Sequence, residues 1–182
     1  MILFLDTETT GLPKSRNASP EVVDLWPRLV SVAWACGKRE AAVEYIVKPD
    51  GFTVPLQASN VHGITTQKAE AEGLPLAEVF GILEEILDRC TVVACYNVAF
   101  DKNVLLSEAH RMGHARLIKK LEDVKWYCVM DRVQRHFGNK KYIKLEAAHS
   151  QLCGMTAAYH NASEDVLATR DIMLALCSKK KT

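Results

Sequence analysis

The stretch FLDTETTGL, Phe4 to Leu12, decides how this chain is read. The apolar run Ile2 to Leu5 reads as a central strand with both faces covered, and it stops at Asp6 and Glu8. Residues two apart in a strand share a face, so the two carboxylates come to lie side by side. Neighbouring anions repel, and burial sharpens the repulsion; a shared proton or a bound cation relieves it. On these nine residues alone an alternative stays open, in which Glu8 lies past the strand in solvent and Asp6 caps a turn.

Further along, RLVSVAWAC and AAVEYIVKP are β-rich runs separated by the turn-like GKRE, which predicts a hairpin. PLAEVFGILEEILDRC carries Leu76, Val79, Phe80, Leu83, Ile86 and Leu87 at helical spacing, with Pro75 placed as a first-turn residue. TVVACYN reads as another buried strand, FDKNVLLSEAHRMG as a helix closed by Gly113, and VKWYCVM as a fifth strand. DRVQRHF, KLEAAHSQLCG and ASEDVLATRDIMLALC complete the chain as helices, while Lys14 to Trp26 reads as a surface loop or irregular insertion. Three early strands, then helices alternating with two more, predict an α/β sandwich around a mixed sheet. Residues 1–177 form one domain in this reading, with 178–182 as a short basic tail.

Two more acids stand where elements begin. Asp101 follows the second buried strand at the first turn of a helix, where an anion is welcome. In YHNASEDVLATRD, Asn161 is a helix cap and Glu164 completes a capping box. That assignment makes His160 and Asp165 the pair that normally meets as a hydrophobic staple; a histidine and an acid there waste a packing contact unless they do chemistry. Asp6, Glu8, Asp101 and Asp165 thus gather at element ends, where open α/β sheets build their clefts. Four hard oxygen ligands suit Mg²⁺ or Mn²⁺ better than zinc.

Composition bounds the rest. The 182 residues are 48% hydrophobic and 25% charged, ordinary for a globular chain, and no apolar run has the length of a membrane span. MILFLDTE meets acids at once and carries no basic leader, so no secretion signal is expected and a cytosolic (cytoplasmic) or organelle-matrix setting fits best. The six cysteines form no C-x-x-C pair and read as reduced core thiols, not as a zinc site. A net charge of +1 neither announces nor excludes a nucleic-acid partner.

Together these motifs resemble the DEDD-type 3′→5′ exonucleases of the DnaQ-like superfamily, in the subgroup with a histidine in its third motif. DTET (Asp6 to Thr9) is similar to the first motif, NVAFD (Asn97 to Asp101) to the second and HNASED (His160 to Asp165) to the third; NVHGIT (Asn60 to Thr65) resembles a substrate-side segment. The resemblance implies an RNase H-like fold with a five-stranded mixed sheet flanked by helices. It implies that Asp6, Glu8, Asp101 and Asp165 hold two divalent ions, Mg²⁺ or Mn²⁺, and that His160 is the general base. It also implies that Thr7, Thr9, Thr10, Leu12, His62, Asn97 and Phe100 serve substrate binding. Leu12 reads as a wedge against a base or as a loop-anchoring residue, and Phe100 as a stacking surface or as packing beside Asp101. Single-stranded DNA or RNA 3′ ends are the implied partners. A DNA polymerase partner stays open, and oligomeric state is not legible. The sequence departs from the family pattern in two places. Tyr96 stands where many relatives carry histidine, a position that ligates no metal, so little effect on chemistry is expected. The polar segment between Leu12 and Arg28 is long, and bears on the substrate entrance.

Overall fold

The computed structural model describes residues 1–139, 141–155 and 161–178. Strand β1 (Ile2–Thr9) occupies the middle of a five-stranded sheet, with β2 (Leu29–Cys36) and β3 (Val43–Ile46) on one side. On the other side lie β4 (Val92–Cys95) and β5 (Lys125–Cys128). β2 runs antiparallel to both β1 and β3, whereas β1, β4 and β5 are parallel, which is the mixed sheet expected. β1 is longer than its apolar run: the ladder to β2 continues through Asp6 opposite Ala33 and Glu8 opposite Ser31, and becomes irregular only between Glu8 and Thr9. Both acids are therefore strand residues, and the turn-capping alternative falls away.

Eight α-helices flank the sheet among the described residues: α1 (Leu56–His62), α2 (Thr66–Glu72), α3 (Leu76–Leu87), α4 (Val98–Arg111), α5 (Ala115–Asp123), α6 (Val129–Phe137), α7 (Leu145–Cys153) and α8 (Ala162–Ser178). Alternation along β1 sorts them. Leu3 and Leu5 pack with Val79, Phe80 and Leu83 of α3, Val104 and Leu105 of α4, and Leu117 and Leu121 of α5. Phe4 points the other way, into a second core with Val133 of α6, Leu152 of α7, and Val166 and Ile172 of α8. A smaller core forms where α1 and α2 bring Ala58 and Ala69 against Val30. At Gly73, which ends α2, an added Cβ would meet the Ala69 carbonyl oxygen at 2.3 Å and the Lys48 backbone nitrogen at 2.6 Å, so only glycine lets these segments approach.

The structure corrects several readings. Helix α5 was not foreseen; its inward side rests on Leu117 and Leu121, with Ile118 partly buried against the same core. Lys14 to Trp26 is an irregular insertion, one of the two expectations, and it is fastened to the body. It contains a 3₁₀ turn, Val23–Leu25, and ends on a buried Trp26 whose indole nitrogen donates to the Ser19 carbonyl at 3.2 Å. His149 of α7 is buried, its Nε2 3.7 Å from Asp171. The cysteines are all free, but only Cys95 is fully enclosed. The lysine pair on α5 faces acids: Lys119 pairs with Asp123 at 3.0 Å and Lys120 with Asp88. α8 runs through Ser178, one residue past the expected domain end; the rest of the basic tail lies outside the described residues. No described helix is long and apolar enough to cross a membrane.

Candidate active site

Asp6 and Glu8 share the face of β1 that Phe4 occupies, so they point toward α8. That helix begins where the capping pattern predicts. The Asn161 side-chain oxygen accepts from the backbone nitrogens of Ser163 at 2.9 Å and Glu164 at 3.4 Å, while the Asp165 nitrogen donates to the Asn161 carbonyl at 3.0 Å. The cap fixes the rotation of the first turn and with it the aim of Asp165. One carboxylate oxygen from each of Asp6, Glu8 and Asp165 lies within 4.8 Å of the others.

The fourth acid arrives by a different route. Thr7 projects to the opposite face of β1, where α4 starts. Its backbone nitrogen and hydroxyl both donate to Oδ1 of Asp101, at 3.1 and 2.8 Å. Asp101 is 3% exposed and sits in the first turn of α4, as expected. Thr7 itself is buried; its hydroxyl is spent on orienting a carboxylate, a role its position in the motif did not reveal.

Burial and the neighbouring acids at this end of the sheet push the carboxyls one way. Burial holds the Asp6 carboxyl well above the usual range, and the charges of Asp101, Glu8, Asp165 and Glu44 add to the effect. Glu8 is raised to about 8, first by burial and then by Asp165, Glu44 and Asp101. Asp101 is raised to about 7 by burial, against the two Thr7 hydrogen bonds, which favour its ionised form. Glu44 was missed in the sequence. It stands across Ala33 from Asp6 in the sheet register and accepts from the Ser31 hydroxyl at 2.7 Å. Only strand pairing brings it here, and β3 carries no local signal of that. A set of carboxylates that resist ionising together, with every donor atom an oxygen, matches the chemistry of a hard divalent cation.

Beside the acids, Thr9, Thr10, Leu12, His62 and Phe100 surround one cavity of about 720 Å³ that Glu8 also borders. The Thr9 hydroxyl donates to the Gly11 carbonyl at 2.7 Å and the Thr10 hydroxyl accepts from the Arg28 nitrogen at 3.0 Å, so these groups shape the loop. Gly11 follows at φ +148°, a backbone conformation that L side chains rarely adopt. Leu12 is 75% exposed and borders the cleft. His62 closes α1 ahead of Gly63, which has φ +74°; its Nδ1 accepts from the Ile64 nitrogen at 3.1 Å. Burial lowers the pKa of His62, with the neighbouring Thr9 carbonyl working against the shift. Phe100 packs partly against the α3–α4 core and borders the cleft. Asn97 precedes α4 and borders a second cavity across Leu12 and Phe100. His160, the expected general base, lies outside the described residues.

Comparison with known proteins agrees with this geometry. Residues 3–173 match the family model described as RNase_T, exonuclease. Among solved structures, exonuclease X in complex with 5′ overhanging duplex DNA is similar at a TM-score of 0.64 and 19% identity, over 100% of this chain and 94% of that one. E. coli exonuclease I in complex with a dA16 oligonucleotide is similar at a TM-score of 0.72 and 21% identity, over 98% of this chain and 40% of that one. Exonuclease I from Methylocaldum szegediense gives a TM-score of 0.71 at 22% identity, again over 40% of its length. The chain thus spans about two fifths of the exonuclease I chains that it resembles. Comparison with curated proteins gives no match. With the family model covering nearly all of its length, the α/β sheet in the expected order and the acids assembled, the chain belongs to the RNase_T exonuclease family of the DnaQ-like superfamily.

Proposed function

We propose that the protein is a divalent-metal-dependent 3′→5′ exonuclease that trims single-stranded DNA ends and releases nucleoside 5′-monophosphates. The observation that carries this reading is the approach of Asp6, Glu8 and Asp165 oxygens to within 4.8 Å of one another, with Asp101 held beside them. A phosphodiester is itself anionic, and this pocket bare would repel it. In the proposal, Asp6, Glu8, Asp101 and Asp165 hold two Mg²⁺ or Mn²⁺ ions. Such ions, when bound, make water a stronger nucleophile and stabilise charge on the leaving 3′ oxygen.

The chain's own groups have separate tasks. Asp6 and Glu8, fixed in a strand, and Asp165, fixed by its capped turn, set the geometry before substrate arrives. Thr7 keeps the Asp101 carboxylate pointed and favours its charged form. Leu12, Phe100 and His62 enclose the terminal nucleotide, Leu12 meeting a base edge-on from the cleft wall. His160, the residue before the Asn161 cap, accepts the proton of the attacking water; an imidazole with an ordinary pKa near ~6.5 is suited to that at neutral pH. DNA as substrate is argued from the DNA in the exonuclease X and exonuclease I complexes.

Degradation of 5′-labelled single-stranded DNA, with duplex DNA and RNA alongside, tests the reading. A ladder shortening from the 3′ end, dependent on Mn²⁺ or Mg²⁺ and abolished by chelator, supports it. Intact substrate under all metal conditions, or a first product from the 5′ end, contradicts it.

A further inference from the structure

One acid near the cluster has no task in the reaction so far. Glu44 of β3 stands opposite Ala33 of β2, and Ala33 stands opposite Asp6 of β1. Side chains directly opposite one another across a sheet share a face, so Glu44, Ala33 and Asp6 form one row over three strands. The neighbouring row fixes which face that is. Tyr45 stacks on Trp34, ring centroids 4.9 Å apart, in the core on the other side of the sheet. Between the two acids of the row Ala33 puts only a methyl group.

A hydrogen bond then turns Glu44 toward the cluster. The Ser31 hydroxyl, fully buried, donates to Oε1 of Glu44 at 2.7 Å, and Ser31 is the residue opposite Glu8 in the β1–β2 ladder. The Glu44 carboxylate therefore leans out of its own row toward the row that holds Glu8. Among the described residues it forms no ion pair. Arg170 of α8 donates instead to the Glu40 carbonyl at 2.5 Å, in the β2–β3 connection. A half-buried carboxylate aimed at other acids, with no cation of its own, is costly unless positive charge arrives.

Resting on the metal-dependent reading above, we infer that Glu44 is an outer carboxylate of the metal centre, a positioning residue that strengthens its hold on divalent ions without ligating them. The oxygens that converge belong to Asp6, Glu8 and Asp165, whereas Glu44 is tied one strand further out by Ser31. Contact is not required, because Coulomb attraction falls only inversely with distance and is weakly screened away from water. Four ligand carboxylates would balance two divalent ions; a fifth leaves the loaded site negative, which keeps the ions in place while no substrate phosphate is bound. Glu44 thereby sets the metal concentration at which the protein works.

Calorimetric titration of the metal-free protein with Mn²⁺ at pH 7 tests this. Glu44→Gln, which removes the charge and keeps the shape, should weaken binding about tenfold, a usual cost of losing an outer-shell partner. Glu44→Asp, which keeps the charge, should stay within about threefold of the wild type. Melting of metal-free Glu44→Gln should hold steady or rise, since a repulsive charge has gone. Unchanged Mn²⁺ affinity in Glu44→Gln overturns the proposal. Equal losses in Gln and Asp, or a lowered melting temperature, overturn it in favour of a packing role. A loss as complete as that of Asp6→Asn overturns it by making Glu44 a ligand. Wild-type protein that binds no Mn²⁺ overturns the metal-dependent reading itself, and the role of Glu44 with it.

Discussion

Two regions of this molecule bury carboxylates, and they treat them oppositely. Glu108 is 1% exposed and meets two guanidinium groups and a backbone nitrogen. Asp101 is 3% exposed and Asp6 half-buried, yet the charges acting on them come from further acids. The first arrangement is what a stable interior requires, since a buried charge must be paired. The second leaves stability on the table at the end of β1. What separates them is purpose: Glu108 ties the β1–β2 connection to α4, whereas the acids hold on to protons until something that arrives from solution displaces them.

The sharpest way to break this contrast is to neutralise one member of each region. Asp6→Asn should lose hydrolysis by at least ~10³-fold, because ligation worth several kcal/mol is removed, while melting of the metal-free protein should hold steady or rise. Glu108→Ala should do the reverse. It strands two arginines, at a cost of about 3–5 kcal/mol, and should lower the melting temperature by roughly 10 °C. Equal destabilisation by the two substitutions would erase the distinction.

The pH dependence sharpens it further. Folded-state pKa values of about 8 for Glu8 and about 7 for Asp101 lie above those of the unfolded chain. The folded protein therefore retains protons that the unfolded chain releases. Stability is greatest below about pH 4 from these groups, and declines as pH rises through 7 and 8. Calorimetry without metal should show melting temperature falling across that window, with Mn²⁺ flattening the slope and Glu8→Gln removing part of it. A melting temperature that instead climbs from pH 5 to 8 would count against the uncompensated cluster. The smallest effect belongs to Thr7→Val. It removes the hydroxyl bond but keeps the backbone one, so Asp101 ionises less readily. The acid limb of the rate profile should move to higher pH, with a loss of ~1.5 kcal/mol or about tenfold near neutrality.

The same contrast explains what could be read from the sequence. Asp6, Glu8, Asn161 and Asp165 were legible because strand alternation and helix capping are local rules, spanning a few residues. The mixed sheet followed from the order of apolar runs. Glu44, by contrast, reaches the site through the register of β2 with β3, and Thr7 meets Asp101 across 94 positions. Arg111 and Glu108 look like ordinary polar residues on a helix until the connection from Leu12 to Arg28 is folded against them. Local patterning announces chemistry; long-range pairing decides how it is held.

The most direct test is a calorimetric titration of metal-free protein with Mn²⁺ at pH 7, repeated in buffers of different ionisation enthalpy so that proton release is counted. The account predicts saturable binding of about two ions, net release of protons from the raised carboxyls, and loss of the tighter event in Asp6→Asn and Asp165→Asn. Binding that is absent, or that survives both substitutions unchanged, would contradict it.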